Sequence, residues 1–253
     1  MTIKKRHITF IIIGILIIAA GVFTAHMHKT RSCKSIIVIY DHNPGDTLIA
    51  PAEVIKLALK DTDSIIGKAI RDIDLESIRY NIIQSPFISD ADISFGLSGV
   101  LKIYIEQEII IARIINTAGR QFYITQSGYY FPTGEVSVRV PVFTGYISPI
   151  TEDLMYIRDL DTPVYTDIYL FAKALSQHVF MNALSEQIYV NRDKKFEVVP
   201  NIGIKNIVVG DSKNLIERFD NLQLFYEQKL PFVERTTYNE LNISFDNQII
   251  AKK

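Results

Sequence analysis

Hydrophobic and polar residues alternate in some stretches of the chain and recur at helical spacing in others. Residues 35–40, SIIVIY, form a short apolar run followed by the turn-forming DHNPGD. Such a run bounded by a turn reads as a strand. PAEVIKLALK opens on Pro51, a residue suited to the first turn of a helix, and Val54, Leu57 and Ala58 give it one apolar face. Leu75, Ile78 and Ile82 repeat at i, i+3 and i+7, which predicts a second helix with Asp74 as its cap and Pro86 as its stop. ISDADISF then alternates, with Ala91, Ile93 and Phe95 on one face and Asp90, Asp92 and Ser94 on the other. LKIYIEQ alternates through Leu101, Ile103 and Ile105, and GLSG between the two runs supplies a hairpin turn. The predicted order is strand, helix, helix, strand, strand, a size that suits one compact domain.

From Glu108 onward the pattern changes. Several short strands separated by glycine turns cover residues 109–135, and PVFTGYI adds another. Residues 167–184 predict one helix with His178 inside it, among apolar neighbours. QIYVNRDKKFEVVP reads as a hairpin about Arg192 and Asp193, and IKNIVVGD as a strand ending at Gly210. SKNLIERFDNLQLFYEQKL predicts a helix with Leu215, Phe219, Leu222 and Tyr226 along one side. In the closing YNELNISFDNQIIAKK, Leu241, Ile243 and Phe245 alternate with Asn242, Ser244 and Asp246. That parity places Phe245 with the core residues, and the stretch reads as a strand at a sheet edge. The second half is expected to be a mixed sheet backed by helices. The fold class is α+β.

The N-terminal part stands apart. Residues 8–25, ITFIIIGILIIAAGVFTA, carry no charge and just reach the length of a membrane span. A signal peptide would have a shorter apolar region and a small-x-small cleavage site, whereas Phe23 precedes Thr24 and Ala25 here. A retained anchor is therefore expected, represented by Ile8, Ile13, Leu16, Gly21 and Ala25. Charge before Cys33 in KTRSC argues against a lipoprotein. Lys4, Lys5 and Arg6 before the run nearly balance Lys29, Arg31 and Lys34 after it. The short leader and its amine favour a cytoplasmic N-terminus, with the bulk of the chain outside the cytoplasm. Gly14, Gly21 and the Ala19–Ala20 pair could let partner helices approach closely, although small residues are common in any such segment.

Composition narrows the function classes. The 253 residues carry a net charge of −1, so no overall field draws the chain to nucleic acid. One cysteine excludes an intramolecular disulfide. The five histidines are His7, His26, His28, His42 and His178, and the His26-x-His28 pair has no third ligand nearby except Cys33. No nucleophile elbow and no phosphate loop is present. No catalytic residue, metal or cofactor is assigned, and the chain is read as no enzyme. The Asn242-Ile-Ser sequon is read as chance.

The order of these features resembles the FtsQ/DivIB family of bacterial cell-division proteins. The likeness covers nearly the whole chain. It is carried by DIDLESIRYNIIQSPFISDADISFGLSGVLKIYIEQEIIIARI, by GRQFYITQSGYYF with VPVFTG, by IKNIVVGDSKNLIERFDNLQLFY and by the closing YNELNISFDNQIIAKK. The resemblance implies a cytoplasmic stub, anchor and juxtamembrane segment over 1–34, a POTRA-like domain over 35–107 and a β domain over 108–253. It implies a non-enzymatic, single-pass scaffold of the inner membrane at the division site. Its partners would be FtsB-like and FtsL-like division proteins, other divisome membrane proteins and the lipid bilayer, with no nucleic acid and no small-molecule substrate. An FtsB-like partner would add a strand to the C-terminal edge. The family's contact positions fall on Ser244, Phe245, Asn247, Gln248, Ile249 and Ile250, with Lys195 on an earlier strand. Ser244 stands where many relatives have Arg, Phe245 where they have Tyr, and Gln248 at a position often Gly. Alternatives are an extracytoplasmic anchored sensor or enzyme domain, another POTRA-bearing transport or secretion component, and, for the last strand, an ordinary edge blunted by Glu240, Asp246 and Lys252.

Overall fold

The computed structural model describes residues 13–19, 31–41, 47–60, 64–134, 137–150, 155–228, 238–245 and 248–253. Two compact units divide between Gln107 and Glu108.

The first unit contains β1 (Ser35–Tyr40), α1 (Pro51–Ala58), α2 (Leu75–Ile83), β2 (Ile88–Phe95) and β3 (Val100–Gln107), with a 3-10 turn at Ile70–Asp72. Pro51 occupies the first turn of α1, where its missing N–H costs nothing. The Asp74 carboxylate accepts from the Glu76 and Ser77 amides at 3.1 and 3.2 Å and caps α2. Alternation then decides what the strands bury. Leu101, Ile103 and Ile105 of β3 are at most 1% exposed, and Ala91 of β2 joins them. The sheet order is β1-β3-β2, with β1 parallel and β2 antiparallel to β3. Val54, Ala58, Ile78 and Ile82 of the helices complete this core. Cys33 is buried in it, ahead of β1, and burial pushes its thiol pKa up. Ser32 bridges Ala69, so the unit includes residues before its first strand.

The second unit is built on a ten-stranded sheet. Its strands are β4 (Ile110–Ile115), β5 (Gln121–Thr125), β6 (Tyr129–Pro132), β7 (Val142–Gly145), β8 (Met155–Tyr156), β9 (Ser185–Val190), β10 (Phe196–Pro200), β11 (Asn206–Gly210), β12 (Glu240–Asn242) and β13 (Ile250–Lys252). Their order is β13-β12-β11-β10-β9-β7-β4-β5-β6-β8. The sheet is mixed, since β4–β7, β7–β9 and β11–β12 are parallel while the other pairs are antiparallel. Helices α3 (Pro163–Gln177), α4 (Val179–Leu184) and α5 (Leu215–Gln228) supply the rest of the core. Phe171 of α3 meets Phe143, Phe196 and Phe219 at ring-centroid distances of 5.8, 4.8 and 5.6 Å, tying α3 and α5 to β7 and β10.

Two expectations are corrected. The single helix over 167–184 is two helices, broken at His178, whose backbone is extended at φ −114° and ψ 95°. The His178 Nδ1 accepts from the Met181 amide at 3.2 Å and so caps α4. Its Nε2 lies 3.3 Å from Asp220 Oδ1, so the ring reads as the tautomer with hydrogen on Nε2. The closing strand is likewise two short strands, β12 and β13, joined by residues 243–249. Leu241 and Ile243 are buried as their parity requires, but Phe245 is 47% exposed. The regular pleat has ended by then, because Ser244 turns its N–H and its hydroxyl to the Asn242 side-chain oxygen at 2.9 and 2.6 Å.

The expected anchor falls largely outside the described residues. Ile8, Gly21 and Ala25 lie beyond them, as do His7, His26, His28 and His42. Residues 13–19 are helical, with Ile13 and Leu16 exposed. No helix among the described residues is long and apolar enough to cross a membrane.

Candidate docking edge

β13 ends the ten-stranded sheet. Its register on β12 sets Glu240 against Lys252, Leu241 against Ala251 and Asn242 against Ile250. The other flank of β13 carries no strand among the described residues. The opposed pair Glu240–Lys252 closes an ion pair of 2.7 Å, which fixes the register across the last two strands. Ile249 and Ala251 pack against the core, whereas Gln248 and Ile250 are exposed. Core-facing positions thus hold the strand down and leave its backbone and outer side chains presented. An unpaired strand edge offers donors and acceptors to another strand.

One end of this edge is braced from below. β12 runs parallel to β11, and the Ile243 amide carries the ladder one step further to Val208 O at 2.9 Å. The chain then passes over Gly210, which has φ +91°. A Cβ on Gly210 would lie 2.8 Å from the Ser244 Cβ, so only glycine permits this crossing without movement. Arg218, 8% exposed on α5, sits beneath. Its Nη1 donates to Val209 O at 3.2 Å, Asp211 O at 3.3 Å and Asp211 Oδ1 at 3.1 Å. Lys195 Nζ approaches the other Asp211 oxygen at 3.9 Å. Burial alone would raise the Asp211 carboxyl, but the Lys213 amide, Arg218 and Lys195 outweigh it and hold its pKa below the usual value.

The structure brings three of the seven expected contact positions to one corner. Ser244 lies over Gly210, Lys195 reaches Asp211 next to it, and Ile250 opposes Asn242 at the same end of β12. Phe245 and Gln248 are exposed on the connection between the last strands. Ile249 faces the core instead of solvent. Asn247 lies outside the described residues. Sequence reasoning missed Gly210, Asp211 and Arg218 as the bracing of this corner. A signal for Arg218 was available: it follows Leu215 by three and precedes Phe219 and Leu222, so it occupies the apolar side of α5. A cation there requires a buried partner. Among the described residues no three His, Cys, Asp or Glu side chains gather as a metal site.

A βααββ unit followed by a mixed-sheet domain whose last strand is paired on one side only among the described residues defines a two-domain α+β architecture. Residues 31–106 match the model of a POTRA-like domain. Residues 110–252 match the model described as FtsQ/DivIB, C-terminal related, and the chain belongs to the FtsQ/DivIB family. It is similar to the cell division protein FtsQ of Rhodothermus marinus, with 23% identity over 257 residues covering 99% of this chain and 88% of the relative.

Proposed function

We propose that the protein is a non-enzymatic scaffold of the bacterial division machinery, held in the inner membrane by residues 8–25 with its N-terminus in the cytoplasm. On this reading the two described units work on the far side of the membrane at the division site. The C-terminal edge recruits an FtsB-like partner, itself associated with an FtsL-like protein, by accepting one of its strands beside β13. The observation that carries the reading is the position of β13, last in the sheet and anchored by Ile249 and Ala251 while Ile250 and Gln248 face outward. Membership of the family and the cell-division name of the relative support it. Domain limits of 35–107 and 108–253 accompany this proposal.

The test is binding of the chain to the extracytoplasmic segment of the FtsB-like protein from the same genome. Successive residues of β13 aim their amides alternately at β12 and away from it. Proline at Ile250 and proline at Ala251 therefore remove different donors, one internal to the sheet and one on its edge. Tight binding by the parent, and its loss in the variant that keeps parental stability, supports strand addition. Binding retained by both variants moves the site elsewhere. No binding by the parent removes the partner assignment.

A further inference from the structure

Among the described residues, α1 and α2 pack on one face of the first unit's sheet. Val38, Leu101, Ile103 and Ile105 turn toward α1 and α2. Strand alternation sends Ile37 and Ile39 of β1, Lys102, Tyr104 and Glu106 of β3, and Asp90, Asp92 and Ser94 of β2 to the opposite face. The register makes rows of them. Ile37 and Ser94 flank Lys102, Ile39 and Asp92 flank Tyr104, and Asp90 lies beside Glu106. Asp41 continues β1 past the last of these rows, its amide donating to Ile105 O at 3.3 Å. Ile37 is 47% and Tyr104 39% exposed, so the centre of the face is apolar and uncovered. An open groove of about 430 Å³ lies at the Asp41 end of these rows, its lining including Ile39, Asp41, Asp90, Asp92, Tyr104 and Glu106.

Charge decides what fits. Asp90 is already paired with Arg79, which also donates to Ala91 O at 2.8 Å. Asp41, Asp92 and Glu106 make no ion pair among the described residues. Three carboxylates thus face the groove, with the amine of Lys102 one row away. A second copy of the same face would meet them with like charge, which disfavours a symmetric dimer here. Lys34 marks the far end of the sheet, where its N–H donates to Gly99 O at 2.8 Å. From Ser35 to Asp41 the strand runs about 20 Å.

We propose that this groove docks an extended, lysine- or arginine-bearing segment of a protein partner. Its apolar side chains lie on Ile37, Ile39 and Tyr104, and its cations meet Asp41, Asp92 and Glu106. Side chains on one face of an extended segment recur about every 6.6 Å, the spacing of the rows beneath them. The groove belongs to the first unit and the C-terminal edge to the second.

The test uses the full chain in nanodiscs of zwitterionic lipid. The probe is the fluorescein-labelled heptapeptide Val-Ser-Val-Ser-Lys-Ser-Lys, which when extended carries its valines and lysines on one face, with the peptide bearing glutamate in place of lysine as its counterpart. Anisotropy titration should show saturable binding of the lysine peptide, weakened by salt, and none of the glutamate peptide. The double variant Asp92→Asn, Glu106→Gln should bind about tenfold more weakly. Tyr104→Ala, which keeps every charge, should also weaken binding. Unchanged binding in the double variant, equal binding of both peptides or no saturable binding overturns the proposal. A change of oligomeric state in the double variant would assign the face to a second copy and overturn it equally.

Discussion

Replacing Gly210 by alanine tests the bracing of the docking corner most sharply. Gly210 has φ +91°, where an L side chain is strained by about 1–2 kcal/mol. The added Cβ would lie 2.8 Å from the Ser244 Cβ and 3.5 Å from its Cα. These atoms are not the far end of a flexible side chain, so the backbone at Ser244 must move, an overpacking cost of about 1–3 kcal/mol. The sum is about 2–5 kcal/mol, borne by the second unit. At roughly 2–4 °C per kcal/mol for a domain of this size, its melting transition should fall by about 7–14 °C for a mid-range cost of about 3.5 kcal/mol. Scanning calorimetry of the full chain resolves the effect, because the first unit has its own core and its transition should not move. Displacement of Ser244 also pulls on the Ile243–Val208 ladder bond, so β12 and β13 should loosen and partner binding should weaken. A second-unit transition within 1 °C of the parent, with unchanged binding, would refute this account of the corner.

Other variants probe the remaining supports. Asp211→Asn removes the counter-charge of buried Arg218 and should cost about 1–2 kcal/mol at neutral pH, a figure reduced by the partial exposure of the carboxylate. Because the folded-state pKa of Asp211 lies below the ordinary 3.8, its contribution is complete above that value. It is lost as pH falls through the folded pKa, so denaturant curves of parent and variant should converge in strong acid. Tyr165 is buried, donates to Ser148 O at 2.7 Å, and burial chiefly lifts its pKa from 10 to about 12. Tyr165→Phe should cost about 1 kcal/mol at pH 7. The parent's advantage is complete below pH 10 and should fade as pH rises toward 12, which alkaline denaturation curves of the two proteins would show. Ile103→Ala empties a fully buried position in the first unit and should cost about 2–5 kcal/mol, lowering that unit's calorimetric transition alone.

The first unit was legible because each element declared itself locally. Asp74 and Pro51 marked helix starts, and two alternating runs flanked a glycine turn. The second unit was legible in its elements and less so in their breaks. The α3–α4 break escaped notice because Phe180, Met181 and Leu184 continue the apolar pattern beyond it, and because histidine is not among the usual capping residues. The parity that placed Phe245 in the core assumed a continuous strand. A side-chain bond from Ser244 to Asn242 ends that strand, and a single side-chain contact leaves no periodic trace. The corner beneath Ser244 depends on Gly210, Asp211 and Arg218, where Arg218 is eight positions from Gly210 and comes to it only through the turn between β11 and α5. Patterning exposed the edge strand but not its bracing.

Hydrogen exchange of residues 248–253, with and without the extracytoplasmic segment of the FtsB-like partner, tests the central claim most directly. Strand addition predicts that the amides of β13 directed away from β12 gain protection in the complex, while those already paired with β12 change little. Protection arising elsewhere in the chain, with the β13 edge exchanging as fast as in the free protein, would contradict it.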